Sequence, residues 1–157
     1  MLIDKKLIHF NYSSRRSTPI RYIVIHDTGN SNAGANALNH FLYFGRCNRN
    51  ASAHYFVDDN GVVQIIEDAH AAWHCGDGRG RYGITNSNSI GIEICVNSDG
   101  DMDKSLEFAR KLVRELMKFY QIPLKNVVRH FDASHKICPR SMASDNWKKW
   151  WKFKESL

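Results

Sequence analysis

Two histidines and a cysteine stand where this chain could wrap a metal ion. His26 closes the apolar run Arg21-Tyr-Ile-Val-Ile-His26, while His130 and Cys138 lie eight residues apart around a loop long enough to fold back on one ion. A catalytic zinc ion takes three protein ligands from His, Cys and carboxylate and keeps its fourth position for water or substrate. A thiolate at such a site needs no unusual base, because the ion itself depresses the thiol pKa. With eight histidines in the chain, spacing alone leaves the alternative of surface or satisfied core histidines open. Glu93 is the second chemical signal, a lone carboxylate inside the apolar run Ser89-Ile-Gly-Ile-Glu-Ile-Cys-Val96. Cys47, Cys75 and Cys95 are irregularly spaced, with no C-x-x-C pair, and read as small buried hydrophobes.

The elements that must position these residues follow from hydrophobic periodicity. Arg21 to His26 reads as a buried strand that leaves the core at Asp27-Thr-Gly29. Ala37, Leu38, Phe41, Leu42 and Phe44 recur at helical spacing, with Gly45 as a C-terminal stop. Two antiparallel strands, Ala53 to Val57 and Val62 to Ile66, flank the turn signal Asn60-Gly61. An irregular, Gly-rich stretch from His74 to Asn88 precedes the strand that carries Glu93. Leu106, Ala109, Leu112, Val113, Leu116, Met117 and Tyr120 share one face of a long helix that begins near Asp103 and is ended by Pro123. Val127 and Val128 form a short strand before His130, and Trp147, Trp150, Trp151 and Phe153 mark an aromatic C-terminal helix. Strands and helices interleave, so the expected fold class is α/β, a mixed central sheet flanked by helices.

Composition bounds the rest. The 157 residues suit a single domain, expected to span residues 1–157. No stretch approaches the roughly 20 apolar residues that cross a bilayer, so stable membrane insertion is not expected. The first ten residues mix Asp4, Lys5, Lys6 and His9 with short apolar runs and lack the apolar core of a secretory signal, which implies synthesis in the cytoplasm. A net charge of +6 suits a polyanionic partner without choosing among nucleic acid, lipid and acidic wall polymer. The basic residues of the long helix, Arg110, Lys111, Arg114 and Lys118, are interspersed with Glu107 and Glu115 as on an ordinary exposed face, so nucleic-acid binding is not expected.

Five segments taken together, Ile23-Val-Ile-His26, Ser52-Ala-His-Tyr-Phe-Val57, Ala72-Trp-His-Cys-Gly76, Asn88-Ser-Ile-Gly-Ile-Glu93 and Arg129-His-Phe-Asp132 with Lys136-Ile-Cys-Pro139, resemble the zinc N-acetylmuramoyl-L-alanine amidases. That family includes phage endolysins and bacterial autolysins and shares a fold with peptidoglycan recognition proteins. The resemblance runs from about residue 21 to residue 140 and implies that His26, His130 and Cys138 hold Zn2+ and that bacterial cell-wall peptidoglycan is the substrate. It also implies cleavage of the amide between N-acetylmuramic acid and the L-alanine of the stem peptide. The chemistry of that reaction then suggests Glu93 as general base and Lys136 as the cation facing the oxyanion. His54, Trp73, His74 and Asn30 are assigned to the substrate groove, with His54 able to orient Glu93 or a ligand. The sequence departs from some relatives at Ala53, where they carry a tyrosine that helps activate the water. An enzyme acting as a monomer on the wall after release is the leading expectation. A non-catalytic peptidoglycan-recognition module is the alternative, and Cys138 argues against it.

Overall fold

A computed structural model describes residues 2–157. Its centre is a six-stranded sheet in the order β1 (Ile3–Lys5), β5 (Gly61–Gln64), β4 (Tyr55–Asp58), β7 (Ser89–Ile94), β3 (Tyr22–Asp27), β8 (Val127–Arg129). Only the β4/β5 hairpin is antiparallel; every other neighbouring pair is parallel. A second, two-stranded antiparallel sheet joins β2 (Tyr12–Ser14) to β6 (His70–Ala72). The helices are α1 (Ala37–Gly45), α2 (Met102–Tyr120), α3 (His130–Ser134) and α4 (Ser144–Glu155). The mixed α/β class expected from the sequence is the one found.

Strand alternation decides which side chains can do chemistry. Ile23 and Ile25 of β3, Ile90, Ile92 and Ile94 of β7, and Tyr55 and Val57 of β4 pack with Ala109, Leu112, Val113 and Leu116 of α2 and with Trp150 and Phe153 of α4. Fully burying each such aliphatic chain is worth about 1.5–3 kcal/mol, so this layer anchors the sheet. The intervening residues face the other way. Phe56 and Val63 meet Ala37, Phe41 and Phe44 of α1 in one cluster, and Val24 and Val128 meet Ala133 of α3 in another. His26 and Glu93 sit on this second face, side by side in the parallel β3/β7 register, with Phe56 beside Glu93 on β4.

Three element boundaries differ from expectation. Gly45 is the last residue of α1 rather than a left-handed stop, and the cap falls on Arg46 in the right-handed region. Helix α2 stops at Gln121, whose left-handed backbone (φ 54°) lets its N–H bond the Met117 carbonyl, two residues before Pro123. In α4 the residues Asp145, Asn146 and Trp147 have left-handed φ, so the regular helix starts after them. Cys47 is exposed, not buried, because it follows α1 in a surface loop; Cys75, Cys95 and Cys138 are buried. Among the described residues no helix is long and apolar enough to cross a membrane.

Candidate metal centre and active site

Three chain segments deliver the candidate ligands to one point. His26 projects from β3, His130 is the first residue of α3, and Cys138 follows the loop that leaves α3. One donor atom from each lies within 4.8 Å of the others, and all three residues are buried. The Cys138 Sγ to His26 Nδ1 separation is 3.8 Å. Two ligands at tetrahedral angles on zinc, with bonds of about 2.3 Å to sulfur and 2.0–2.1 Å to nitrogen, stand roughly 3.5 Å apart, so this spacing fits a shared ion. Burial and the neighbouring Glu93 push the Cys138 thiol up to about 12. A thiol so placed becomes a ligand only by giving its proton up to a metal.

The outer partners of the two imidazoles decide which nitrogen is free. His26 Nε2 lies 3.0 Å from His74 Nδ1, which leaves Nδ1 on the Cys138 side. His130 Nε2 lies 2.8 Å from Asp77 Oδ1, which leaves its Nδ1 for an ion. Such carboxylate-to-histidine contacts fix ring orientation at metal sites and raise ligand basicity. Asp77 was not singled out in the sequence, where it is one acid in a Gly-rich stretch. Its setting between Gly76 and Gly78 is the signal that was there to be read: a Cβ on Gly78 would come within 2.0 Å of the Ala133 carbonyl oxygen of α3. Only glycine lets this turn press against the helix that carries His130.

Glu93 lies at the edge of the cluster, with Oε1 3.9 Å from His26 Nδ1 and a side chain 20% exposed. Its Oε2 is a buried oxygen without a hydrogen-bond partner. Burial, then the Asp27 carboxylate, raise its pKa to about 8, against the pull of Lys136. Lys136 itself is exposed on the loop between α3 and Cys138, close enough for its charge to disfavour protonation of His26 and His130. The three donors and one unpartnered carboxylate oxygen together fit a cation that keeps a position open to solvent.

The expected groove residues scatter. Asn30 lines a cavity of about 400 Å³ together with Thr28, His40, Phe56 and Glu93. Trp73 is half-buried and donates its Nε1–H to Ser13 Oγ at 2.8 Å, so one edge of the indole ties down β2. His74 is 8% exposed and occupied by His26 and Ser89, which places it behind the candidate ligand His26 rather than in a groove. His54 is 0% exposed and presents no surface to any ligand. Its Nδ1 accepts the Gly91 N–H at 2.9 Å, its Nε2 faces the His70 carbonyl at 3.1 Å, and burial followed by the nearby Arg15 lowers its pKa to about 3.

Arg15 is the other residue the sequence did not announce. It is 5% exposed, and its guanidinium donates to the carbonyls of Asp68, Asn86, Ser87 and Ser89, so it binds the N-terminal segment to the loops around the site. Burial lowers its pKa. A surface-type residue in a segment without periodicity gives no sequence signal of such a role.

Comparison with known proteins gives the family. The family model described as N-acetylmuramoyl-L-alanine amidase covers residues 16–141, the stretch that contains all three candidate ligands. The N-acetylmuramoyl-L-alanine amidase CwlH of Bacillus subtilis is 43% identical over 126 residues, which are 80% of this chain and 49% of that protein. The chain thus spans about half the length of that relative, and 42% of the amidase XlyA of Bacillus subtilis, to which it is 42% identical over 130 residues. The solved catalytic domain of XlyA superposes with a TM-score of 0.88 at 36% identity over 99% of both chains. The structure of PlyL superposes with a TM-score of 0.81 at 34% identity, covering 99% of this chain and 96% of its own. On the match of fold and sequence, the chain belongs to the N-acetylmuramoyl-L-alanine amidase family.

Proposed function

We propose that the chain is a zinc-dependent N-acetylmuramoyl-L-alanine amidase of the endolysin or autolysin type. It would cleave the amide joining the lactyl group of N-acetylmuramic acid to L-alanine in bacterial peptidoglycan. The observation that carries this reading is the convergence of His26, His130 and Cys138 beside the unpartnered carboxylate oxygen of Glu93. His26 and His130 would hold the ion through Nδ1 and Cys138 through Sγ. Bound there, zinc supplies Lewis acidity that polarises the scissile carbonyl and lowers the pKa of water.

The chain's own groups do the rest. Glu93 takes a proton from the attacking water as its oxygen bonds the carbonyl carbon, and delivers that proton to the alanine nitrogen as the C–N bond breaks. Near a cation the carboxylate form of Glu93 is favoured, which offsets the burial that raises its pKa. Lys136 offers its ammonium to the oxygen that gains charge in the tetrahedral intermediate. Beside Glu93, the cavity of about 400 Å³ suits the stem peptide. Thr28 Oγ1, His40 Nε2 and Glu93 Oε2 each lack a partner there, and Phe56 gives it an apolar wall. His40 bonds the Ala35 backbone through its other nitrogen, so its Nε2 is an acceptor suited to a peptide N–H. Asn30 belongs to the same groove.

Action as a monomer on the wall, after synthesis in the cytoplasm and release, completes the proposal; nucleic acid and the membrane are not its targets. Digestion of purified cell walls with and without a chelator tests it. New N-terminal alanine and free lactyl carboxyl, both lost with the chelator, are expected. New reducing sugar ends without new amines would refute the amidase reading.

A further inference from the structure

Glycine in the interior of a central strand weakens it relative to alanine and calls for a reason. Gly91 sits mid-way along β7, between β3 and β4. A Cβ built there would stand 2.5 Å from His74 Cγ and 2.8 Å from both Cδ2 and Nδ1 of that ring. The imidazole of His74 therefore lies flat on the strand and fills the space of any side chain at position 91. From that seat it touches His26 on the neighbouring strand on one side and Ser89 on the other, as the first two members of a chain of contacts.

The direction of every hydrogen bond in that chain is fixed from its far end. The Thr85 carbonyl can only accept, so Ser89 donates its hydroxyl proton to it, at 2.5 Å. With its single proton committed, Ser89 Oγ must accept at its 3.1 Å contact with His74, and His74 therefore carries its proton on Nε2. A neutral imidazole has one N–H, so His74 Nδ1 is bare and accepts from His26 Nε2 at 3.0 Å. Among the described residues no carboxylate contacts His74, so nothing in its hydrogen-bond surroundings holds a second proton there. His26 Nδ1 is left bare, facing Cys138 Sγ at 3.8 Å.

We propose that His74, Ser89 and Gly91 are positioning residues that lock His26 in the Nε2–H tautomer, so that a backbone carbonyl three contacts away dictates which nitrogen of His26 meets the metal. The metal half of this inference rests on the reading of His26 as a ligand. The tautomer half stands on the hydrogen-bond geometry alone.

Nitrogen-15 NMR of the imidazoles in the metal-free, unsubstituted protein tests the tautomers directly. His26 and His74 should both be protonated at Nε2, and either ring found protonated at Nδ1 overturns the proposal without recourse to any variant. Ser89→Ala removes the acceptor that holds His74. In this variant the His74 signals should shift toward a mixture of tautomers, and the zinc Kd, read by competition with a chromophoric chelator, should weaken about 10-fold or more. Gly91→Ala should weaken zinc binding comparably while touching no ligand. A purely architectural role predicts a lower melting temperature with the zinc Kd unchanged, and a Kd within about twofold of the parent in the folded Ser89→Ala protein would overturn the proposal. Failure of the unsubstituted protein to bind zinc would refute the metal reading instead, and the imidazole spectra would still decide the tautomers.

Discussion

Glu93 is the residue on which the proposed chemistry turns, because among the described residues it is the carboxylate that stands in strand register with the candidate ligand His26 and keeps an oxygen unpartnered. Glu93→Gln should preserve zinc affinity within a few-fold and lower amide cleavage by about 10²–10⁴, the range for a lost general base, as measured by alanine release and a zinc competition assay. The thiol of Cys138 makes a second prediction. Since its metal-free pKa is about 12, binding an ion must expel a proton throughout the neutral range. Apparent zinc affinity should therefore rise about tenfold per pH unit between pH 7 and 9, once the imidazoles are neutral, and a flat profile would exclude Cys138 as a ligand. In the sequence His26 stood out as a donor at a strand exit and Glu93 as a charge in an apolar run, while the set His26, His130 and Cys138 came from the family resemblance, since spacing alone did not select it. Asp77 and Arg15 were not legible, because their roles depend on Gly78 packing against α3 and on carbonyls of Asp68 and of residues 86–89 brought together from two segments of the chain. His54 and His74 were read as groove residues from their motifs. Alternation along a strand shows which face a side chain takes but not how much chain later covers that face.

At the scale of elements, the strong periodicities were reliable and the short pieces were not. Helix α2 was legible because Ala109, Leu112, Val113 and Leu116 repeat at 3.6-residue spacing; its start, expected near Asp103, falls at Met102, capped by Asp101, whose carboxylate accepts from the N–H groups of Asp103 and Lys104. The strands β1, β2 and β6, each of three residues, are set by pairing with distant partners and carry no period of their own. Helix α3 is likewise a single short turn of five residues, held by Asp132 accepting from the Arg129 backbone N–H. The stability of the site depends on the layer behind it, since the apolar face of α2 shares one buried core with Ile23 and Ile25 of β3 and Ile90, Ile92 and Ile94 of β7, the strands that pair His26 with Glu93. Leu112→Ala should cost about 2–5 kcal/mol in urea unfolding, as a buried leucine with 0% exposure leaves a cavity. A cost under about 1 kcal/mol would mean that this helix is not what anchors the sheet.

For the whole molecule, burial of several neutral imidazoles has a consequence for acid stability. The pKa of His54 falls to about 3, those of His26 and His74 fall well below the ordinary value, and those of His40 and His130 also fall, in each case first through burial. These groups take up protons in the unfolded chain near pH 6.5 but resist them when folded, so their contribution is present above that pH and is lost as pH falls toward 3. Glu93 has the opposite sign, since its raised pKa lowers stability as pH climbs toward 8, and it offsets part of the effect. The urea midpoint of the metal-free protein should still drop steadily from pH 6.5 to pH 4, and an unchanged midpoint would contradict the neutral, buried state of these rings. What unites the fold is that distant segments bring His26, His130 and Cys138 to one point, and the coordination shell of added zinc would read this most directly. X-ray absorption of the zinc-loaded protein should show one sulfur near 2.3 Å and two imidazole nitrogens near 2.0–2.1 Å, with the sulfur lost in Cys138→Ser. A shell without sulfur in the unsubstituted protein, or one unchanged by that substitution, would contradict the account.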